Sequence, residues 1–449
     1  MMVMRTVISR AMTRREDGAK RSIMLADVKT AFLYGDARRS LYVELPPEDP
    51  LAASGRYVGK LERAMYGTRD APMIWQDHLR KTLLNMKFTE SVTHPGMFQH
   101  ETRDILLCVH VDDLLCTGVR DDLHWLKLQL KKEYELETKL MGDDDMEKSA
   151  VYLGRTLEWS EDGLGVRPDR RHVRSLLREL GMETSRSVST SLSHTVEKEG
   201  DRSDRPEVSA ELATKHRAAV ARVVYLAQDR LDLGVAAVEL AKTMAIPREG
   251  DNERLKRVAR YLHGSPDYVQ WYPIQEETNT VVLSTDADWA TCRETRRSNS
   301  GGTVMLGNHL IAAWSRVQPR IALSSGEAEL YAGMRGISET LGFVHMMREF
   351  NTHDWGRIVH RVDASACRAI MLRRGCGGLK HITVKTLWVQ EAVREYLITT
   401  EKVPRDEMHA HILASPSSAE ELKKHLTELN GYRSMEEECG AEVPRESRQ

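Results

Sequence analysis

Cysteine is scarce and poorly placed for cross-linking. The six residues stand at 108, 116, 292, 367, 376 and 439, with no C-x-x-C pair among them. That spacing argues against a disulfide framework and a zinc knuckle, and it fits a reducing compartment. An excess of either charge is lacking too: 65 Lys and Arg meet 67 Asp and Glu, for a formal net charge of -2. No global basic field advertises nucleic acid, so any such binding has to come from local clusters. Long apolar runs are also missing. The opening "MMVMRTVISRAMTRRED" has no signal-peptide core, and no later run could span a bilayer. A soluble, intracellular chain is expected.

What is present is a globular composition, 41% hydrophobic and 29% charged, over 449 residues, enough for two or three domains. Residues 1–24 are basic without a clear period. From "SIMLADVKTAFLYG" onward, β-branched runs alternate with helical patterns such as "APMIWQDHLRKTLLNMKF", an α/β signature. "VYLGRTLEWSEDGLGVRP" reads as a hairpin. The segment "DRRHVRSLLRELGM" then sets Val173, Leu176, Leu177 and Leu180 on one helical side, with Arg167, Arg171, Arg174 and Arg178 on another. Such a stripe suits phosphates spaced along a duplex, and it equally suits a solvated face. A Ser/Thr/Glu-rich stretch near 183–214 reads as a linker. Three helices follow, then a second α/β region from "TVVLSTDADWA" to about residue 415, and nothing repeats internally.

In "ILLCVHVDDLLCTG" two adjacent aspartates, Asp112 and Asp113, interrupt an apolar run that reads as a hairpin of buried strands. Neighbouring carboxylates repel and are costly to desolvate. Asp27 in "MLADVKTAFLYG" ends another apolar strand. Three carboxylates on adjacent strands make an oxygen-rich cage for hard divalent cations, although "VDD" alone is also what a solvated turn looks like.

The ordered set "ADVKTAFLYGD", "LERAMYGTRDAPMIW", "LLCVHVDDLLCTG" and "YLGRTLEW" resembles the reverse transcriptase of copia-type long-terminal-repeat retrotransposons. "STDADWA", "RRSNSGG", "ALSSGEAELYA" and "LKHI" are similar to that family's ribonuclease H domain. The likeness runs over roughly residues 22 to 430. It implies a reverse-transcriptase palm and thumb with truncated fingers, followed by a ribonuclease H-like α/β domain. The expected boundaries are a basic extension over 1–24, a palm with partial fingers over 25–148, a thumb or connection over 149–275, a ribonuclease H-like domain over 280–415, and a helix with a polar tail over 416–449. It also implies metal ligation by Asp27, Asp112 and Asp113 at a polymerase site and by Asp286, Glu327 and Asp363 at a ribonuclease site, with Mg2+ or Mn2+. Asp288 and Glu329 rank as nearby spares. Phe32 matches the aromatic against the sugar, Gly67 and Pro72 match the turn under template and nucleotide, and Arg171 and Arg174 are the candidate phosphate contacts. The implied partners are an RNA template, a DNA primer, an RNA–DNA hybrid and deoxynucleoside triphosphates, in a cytoplasmic particle or nucleus, without a membrane.

Three departures from the family pattern stand out. The segment expected to build the fingers is replaced by 24 unlike residues; His110 stands where Tyr is usual; and His411 in "DEMHAHILAS" takes the place of a final acid. No aspartic protease, zinc knuckle or integrase core accompanies the motifs, so the expectation is the carboxy-terminal part of a Pol polyprotein. Its alternative is an inactive nucleic-acid-binding or scaffold protein of the same descent.

Overall fold

A computed structural model describes residues 1–143, 146–193, 202–350, 357–396 and 398–434. Part of the expected linker (194–201) and of the polar tail (435–449) therefore lies outside the described residues. The chain divides into two compact units, residues 15–148 and residues 1–14 with 149–449.

The basic start is an amphipathic helix. In α1 (Met2–Ala11), Met4, Val7, Ile8 and Ala11 recur at three- and four-residue intervals and are all buried. Arg5 reaches the Gln228 carbonyl (3.1 Å), and Ser9 meets His309 (2.8 Å), so α1 belongs to the larger unit.

The smaller unit holds a six-stranded antiparallel sheet. Its elements in chain order are β1 (Arg21–Val28), the ribbon of β2 (Tyr42–Glu44) and β3 (Val58–Lys60), α2 (Ala71–Asn85), β4 (Phe88–Glu90), β5 (Met97–His100), β6 (Ile105–His110), β7 (Asp113–Val119), α3 (Arg120–Glu133) and β8 (Leu136–Met141). The sheet order is β4-β5-β6-β7-β1-β8. Strand alternation decides its faces. Met24, Ala26, Val28, Ile105, Leu107, Leu114 and Cys116 pack with Trp75, Leu79 and Leu83 of α2 and Leu123, Leu126 and Leu130 of α3. Asp27 and Asp113, out of step with those residues, project from the opposite face. Pro72 opens α2, where a missing backbone N–H costs nothing.

The larger unit contains two five-stranded sheets. The first uses β9 (Ser149–Tyr152), β10 (Arg155–Ser160) and β11 (Gly163–Arg167). Helices α4 (Arg170–Leu180), α5 (Ala210–Leu226), α6 (Gly234–Ala241) and α7 (Asp251–Gly264) follow, and β12 (Asp267–Pro273) returns to the sheet. Arg167 thus ends a strand, because Pro168 and the helix cap Asp169 delay α4 until Arg170. The arginine stripe on the helix shrinks to Arg171, Arg174 and Arg178.

The second sheet is built from β13 (Thr280–Ala287), β14 (Asn299–Leu306) and β15 (His309–Val317). Beyond α8 (Ser325–Glu349) come β16 (Arg357–Val362), α9 (Ser365–Leu372), α10 (Val384–Glu395) and β17 (Thr399–Lys402). Then α11 (His411–Ala414) and α12 (Ala419–Glu428) lead to β18 (Gly431–Ser434), which joins the first sheet beside β12. In the order β15-β14-β13-β16-β17, the first three strands are antiparallel, and β16 and β17 add parallel. This is the mixed α/β, ribonuclease H-like arrangement expected for the fold class. Helix α8 lies close on β13: an added Cβ at Gly336 would sit 2.5 Å from Thr285 Cγ2. Among the described residues, no helix is long and apolar enough to cross a membrane.

Candidate functional site

The β6–β7 hairpin pairs His110 with Asp113 and turns through Val111 and Asp112. Val111 takes φ +57°, a left-handed conformation that strains a β-branched residue. Two backbone contacts hold it there. Trp75 Nε1 donates to the Val111 carbonyl (2.6 Å), and the Asp112 carbonyl accepts from Val28 N (3.1 Å). Asp27 faces Asp113 directly in the β1–β7 register. Burial, then repulsion from Asp112 and other neighbouring carboxylates, raises the pKa of both Asp27 and Asp113 above the ordinary aspartate value. The three side chains share one neighbourhood, but their ligand atoms do not all come within 4.8 Å of one another.

Around this hairpin, the Phe32 ring packs on Tyr66 with centroids 4.5 Å apart. Gly67 adopts φ +89° with open space where a Cβ would stand, so conformation rather than crowding asks for glycine there. Pro72 is exposed at the start of α2.

In the larger unit, Asp286 near the end of β13, Glu329 in the first turns of α8 and Asp363 just after β16 bring their carboxylates within 4.8 Å of one another. The Ala287 N–H is shared by Asp286 Oδ1 (2.8 Å) and Glu329 Oε1 (3.0 Å). Burial, followed by the charges of Asp286 and Asp363, lifts the Glu329 carboxyl well above its ordinary value. Its Oε2 is buried without a hydrogen-bond partner among the described residues. Burial, the largest single influence, pushes Asp286 upward, but the His411 bond and charge, Glu329 and the Ala287 N–H together outweigh it and hold Asp286 below the usual aspartate range. Asp363 is raised by burial and by Asp286.

Glu327, the residue expected in this trio, stands elsewhere. Its Oε2 accepts from Leu323 N (2.9 Å) and lies 3.0 Å from His381 Nε2, while Tyr331 donates to its Oε1 (2.8 Å). Despite burial, these donors keep its pKa low. The nominal spare Glu329 occupies the inward position. The signal was present in Ser324-x-x-Glu327: Ser324 caps α8 by accepting from Glu327 N, which makes Glu327 a first-turn residue. Asp288, the other spare, accepts from Asn299 N (2.5 Å) and from Thr291.

His411 was expected where a fourth acid would stand, and its Nδ1 lies 2.7 Å from Asp286 Oδ2. Arg405 approaches the other ring nitrogen at 3.2 Å, so a neutral His411 donates from Nδ1 and accepts at Nε2. On α4, Arg171 is held by Asp169 (2.7 Å), whereas Arg174 and Arg178 are exposed.

A family profile described as "Reverse transcriptase (RNA-dependent DNA polymerase)" matches residues 3–192. The "Retrovirus-related Pol polyprotein from transposon RE1" of Arabidopsis thaliana is 28% identical over 409 residues, 87% of this chain and 26% of that protein. Its counterpart from transposon RE2, also of Arabidopsis thaliana, is 31% identical over 71% of this chain and 21% of its own length. The chain belongs to the Pol polyprotein family of copia-type retrotransposons. A further relative, the Pol polyprotein from transposon TNT 1-94 of Nicotiana tabacum, is 25% identical over 90% of this chain and 30% of its own length. This Pol chain therefore spans 21% to 30% of the length of these curated relatives. Among solved structures, the N-terminal ribonuclease H domain of a Mycobacterium tuberculosis protein, fused to maltose-binding protein, superposes with TM-score 0.22 at 15% identity. The match covers 33% of this chain and 96% of that one.

Proposed function

We propose that this chain is the reverse transcriptase and ribonuclease H portion of a retrotransposon Pol polyprotein. Its larger unit cleaves the RNA strand of an RNA–DNA hybrid with Mg2+ or Mn2+ held by Asp286, Glu329 and Asp363. One observation carries the reading: three carboxylates from two strands and a helix converge, and one of them has a buried, unpartnered oxygen. All-oxygen donors suit a hard divalent cation, which supplies charge neutralisation and water activation when bound. Asp286 is the most readily ionised member, with His411 among the groups that keep it so. Glu329, whose carboxyl is raised by burial and by the charges of Asp286 and Asp363, serves as a ligand only in its ionised form. His411 presents nitrogen where oxygen is preferred, so it weakens the site rather than completing it.

The same proposal assigns Asp27, Asp112 and Asp113 to cations for DNA synthesis from deoxynucleoside triphosphates on an RNA template and DNA primer. Phe32, backed by Tyr66, lies against the sugar. Gly67 and Pro72 shape the turn beneath the nucleotide, and Arg171 and Arg174 contact hybrid phosphates. A second reading, hybrid binding without cleavage, is favoured by the His411–Asp286 bond, which occupies one oxygen of a ligand.

Incubating the purified chain with a labelled hybrid in Mg2+ or Mn2+ separates the two. Metal-dependent cleavage, abolished by Asp286→Asn and Glu329→Gln and increased by His411→Asp, is expected. Primer extension sensitive to Asp112→Asn is measured beside it. Hybrid binding with no cleavage in wild type or in His411→Asp would establish the second reading.

A further inference from the structure

A second group of ligating side chains lies away from the carboxylate cluster. His425 and Glu428 stand three residues apart on α12, a spacing that puts them on one helical face, and His409 reaches them from the segment before α11. Both imidazoles aim Nδ1 at the same carboxylate oxygen: Glu428 Oε2 is 3.1 Å from His409 and 3.0 Å from His425. All three ligand atoms fall within 4.8 Å of one another. Tetrahedral ligands at ordinary zinc bond lengths stand about 3.3 Å apart, so two edges of such a polyhedron are nearly in place.

The arrangement is incompletely satisfied by the protein alone. His409 Nδ1 is screened from solvent, yet it makes no aligned hydrogen bond with the carboxylate beside it. His425 is 2% exposed, so its ring cannot turn out to water. Burial, foremost, holds His409 below the ordinary imidazole range against the pull of Glu428, with His425 and Arg361 acting in the same direction as burial. Arg361, the facing cation, has Glu401 beside it at 3.8 Å. Two imidazoles and one carboxylate form a nitrogen-rich set that suits a zinc-class cation better than magnesium.

We propose that His409, His425 and Glu428 form a zinc-class metal site, separate from the carboxylate cluster, that fastens the segment carrying Arg405 and His411 to α12. The fastening has a consequence for the other site. His411 is two residues from His409 and touches Asp286 at 2.7 Å, so a cation at the first group steadies a neighbour of the second.

The test uses the full chain stripped by a chelator and then titrated with Zn2+ against a fluorescent competitor, with Mg2+ in excess to fill oxygen-only sites. One equivalent of tightly held zinc is expected, and Co2+ in its place should give the visible absorption of a tetrahedral centre. Glu428→Gln and His409→Asn keep side-chain shape. Each should weaken zinc by at least tenfold, about the loss seen when even an outer partner of a ligand is removed. Asp286→Asn should leave zinc affinity unchanged. Undiminished affinity in Glu428→Gln and His409→Asn, loss of zinc in Asp286→Asn instead, or no zinc taken up by wild type would each overturn the proposal.

Discussion

Glu327 and Glu329 stand two residues apart on α8, yet they should give opposite pH signatures. Without metal, burial and two neighbouring carboxylates raise the Glu329 pKa, so folding takes up a proton there. Its stabilising protonated form is fully present below the unfolded value of about 4.3 and is lost as pH rises toward the folded value. Within that window one proton changes stability by at most about 1.4 kcal/mol per pH unit. Glu329→Gln keeps the side-chain shape but cannot titrate. Wild type should therefore lose stability relative to this variant as pH rises, and a divalent cation should restore it only in wild type.

Glu327 has the reverse sign. Its folded pKa is depressed, so its stabilisation is present above the unfolded value and lost as pH falls. Glu327→Gln should thus be the weaker protein at neutral pH, with the deficit closing in acid. The assay is urea unfolding of the chelator-treated chain, followed by hydrogen exchange in peptides from β13 and α8, between about pH 3 and 8 so that both windows are covered. Parallel profiles for wild type and Glu329→Gln would refute the assignment of Glu329 to the carboxylate cluster. So would a divalent-cation effect that survives in Glu329→Gln and disappears in Glu327→Gln.

Two further outcomes follow from other parts of the larger unit. Arg230 and Asp232 form a fully buried ion pair at 2.6 Å, and Tyr261 also donates to Asp232 (2.6 Å). Asp232→Ala should cost about 3–5 kcal/mol in urea unfolding, and replacing both partners with apolar residues should recover most of it. On α4, Asp169 already holds Arg171, so Arg174→Glu alone should account for most of any lost hybrid affinity and lower the salt slope by about one. An unchanged slope would mean that this face is only solvated.

Much of the fold was legible because its strands and helices carry their periods openly. Met24, Ala26 and Val28 alternate in β1, Trp75, Leu79 and Leu83 recur along α2, and the run around Asp112 folds as a hairpin with its aspartates at the turn. Helix α1 is harder to see in the sequence, because the short apolar stripe of Met4, Val7, Ile8 and Ala11 is set among Arg5, Arg10 and Arg14. Spacing alone sets Arg167 with the helical arginines. Pro168 and Asp169 mark a helix start, and that placed Arg167 on the preceding strand.

The site was legible at its strand ends and less so on its helix. Asp286 and Asp363 close apolar strands, where alternation and strand length leave little freedom. On a helix, by contrast, two acids two residues apart point about 200° apart, so one register error exchanges the residue facing Asp286 for the one facing His381. Only the capping relation at Ser324 separates Glu327 from Glu329, and it is a local signal that motif matching passes over. The bond from His411 to Asp286 and the meeting of His409 with His425 lie beyond any local pattern. They depend on how the segment after β17 crosses the end of β13 and packs on α12, which is set by long-range contacts. Residues paired across that distance become visible as a site only when the fold brings them together, and for that reason the imidazole–carboxylate group needs metal measurements on the intact chain.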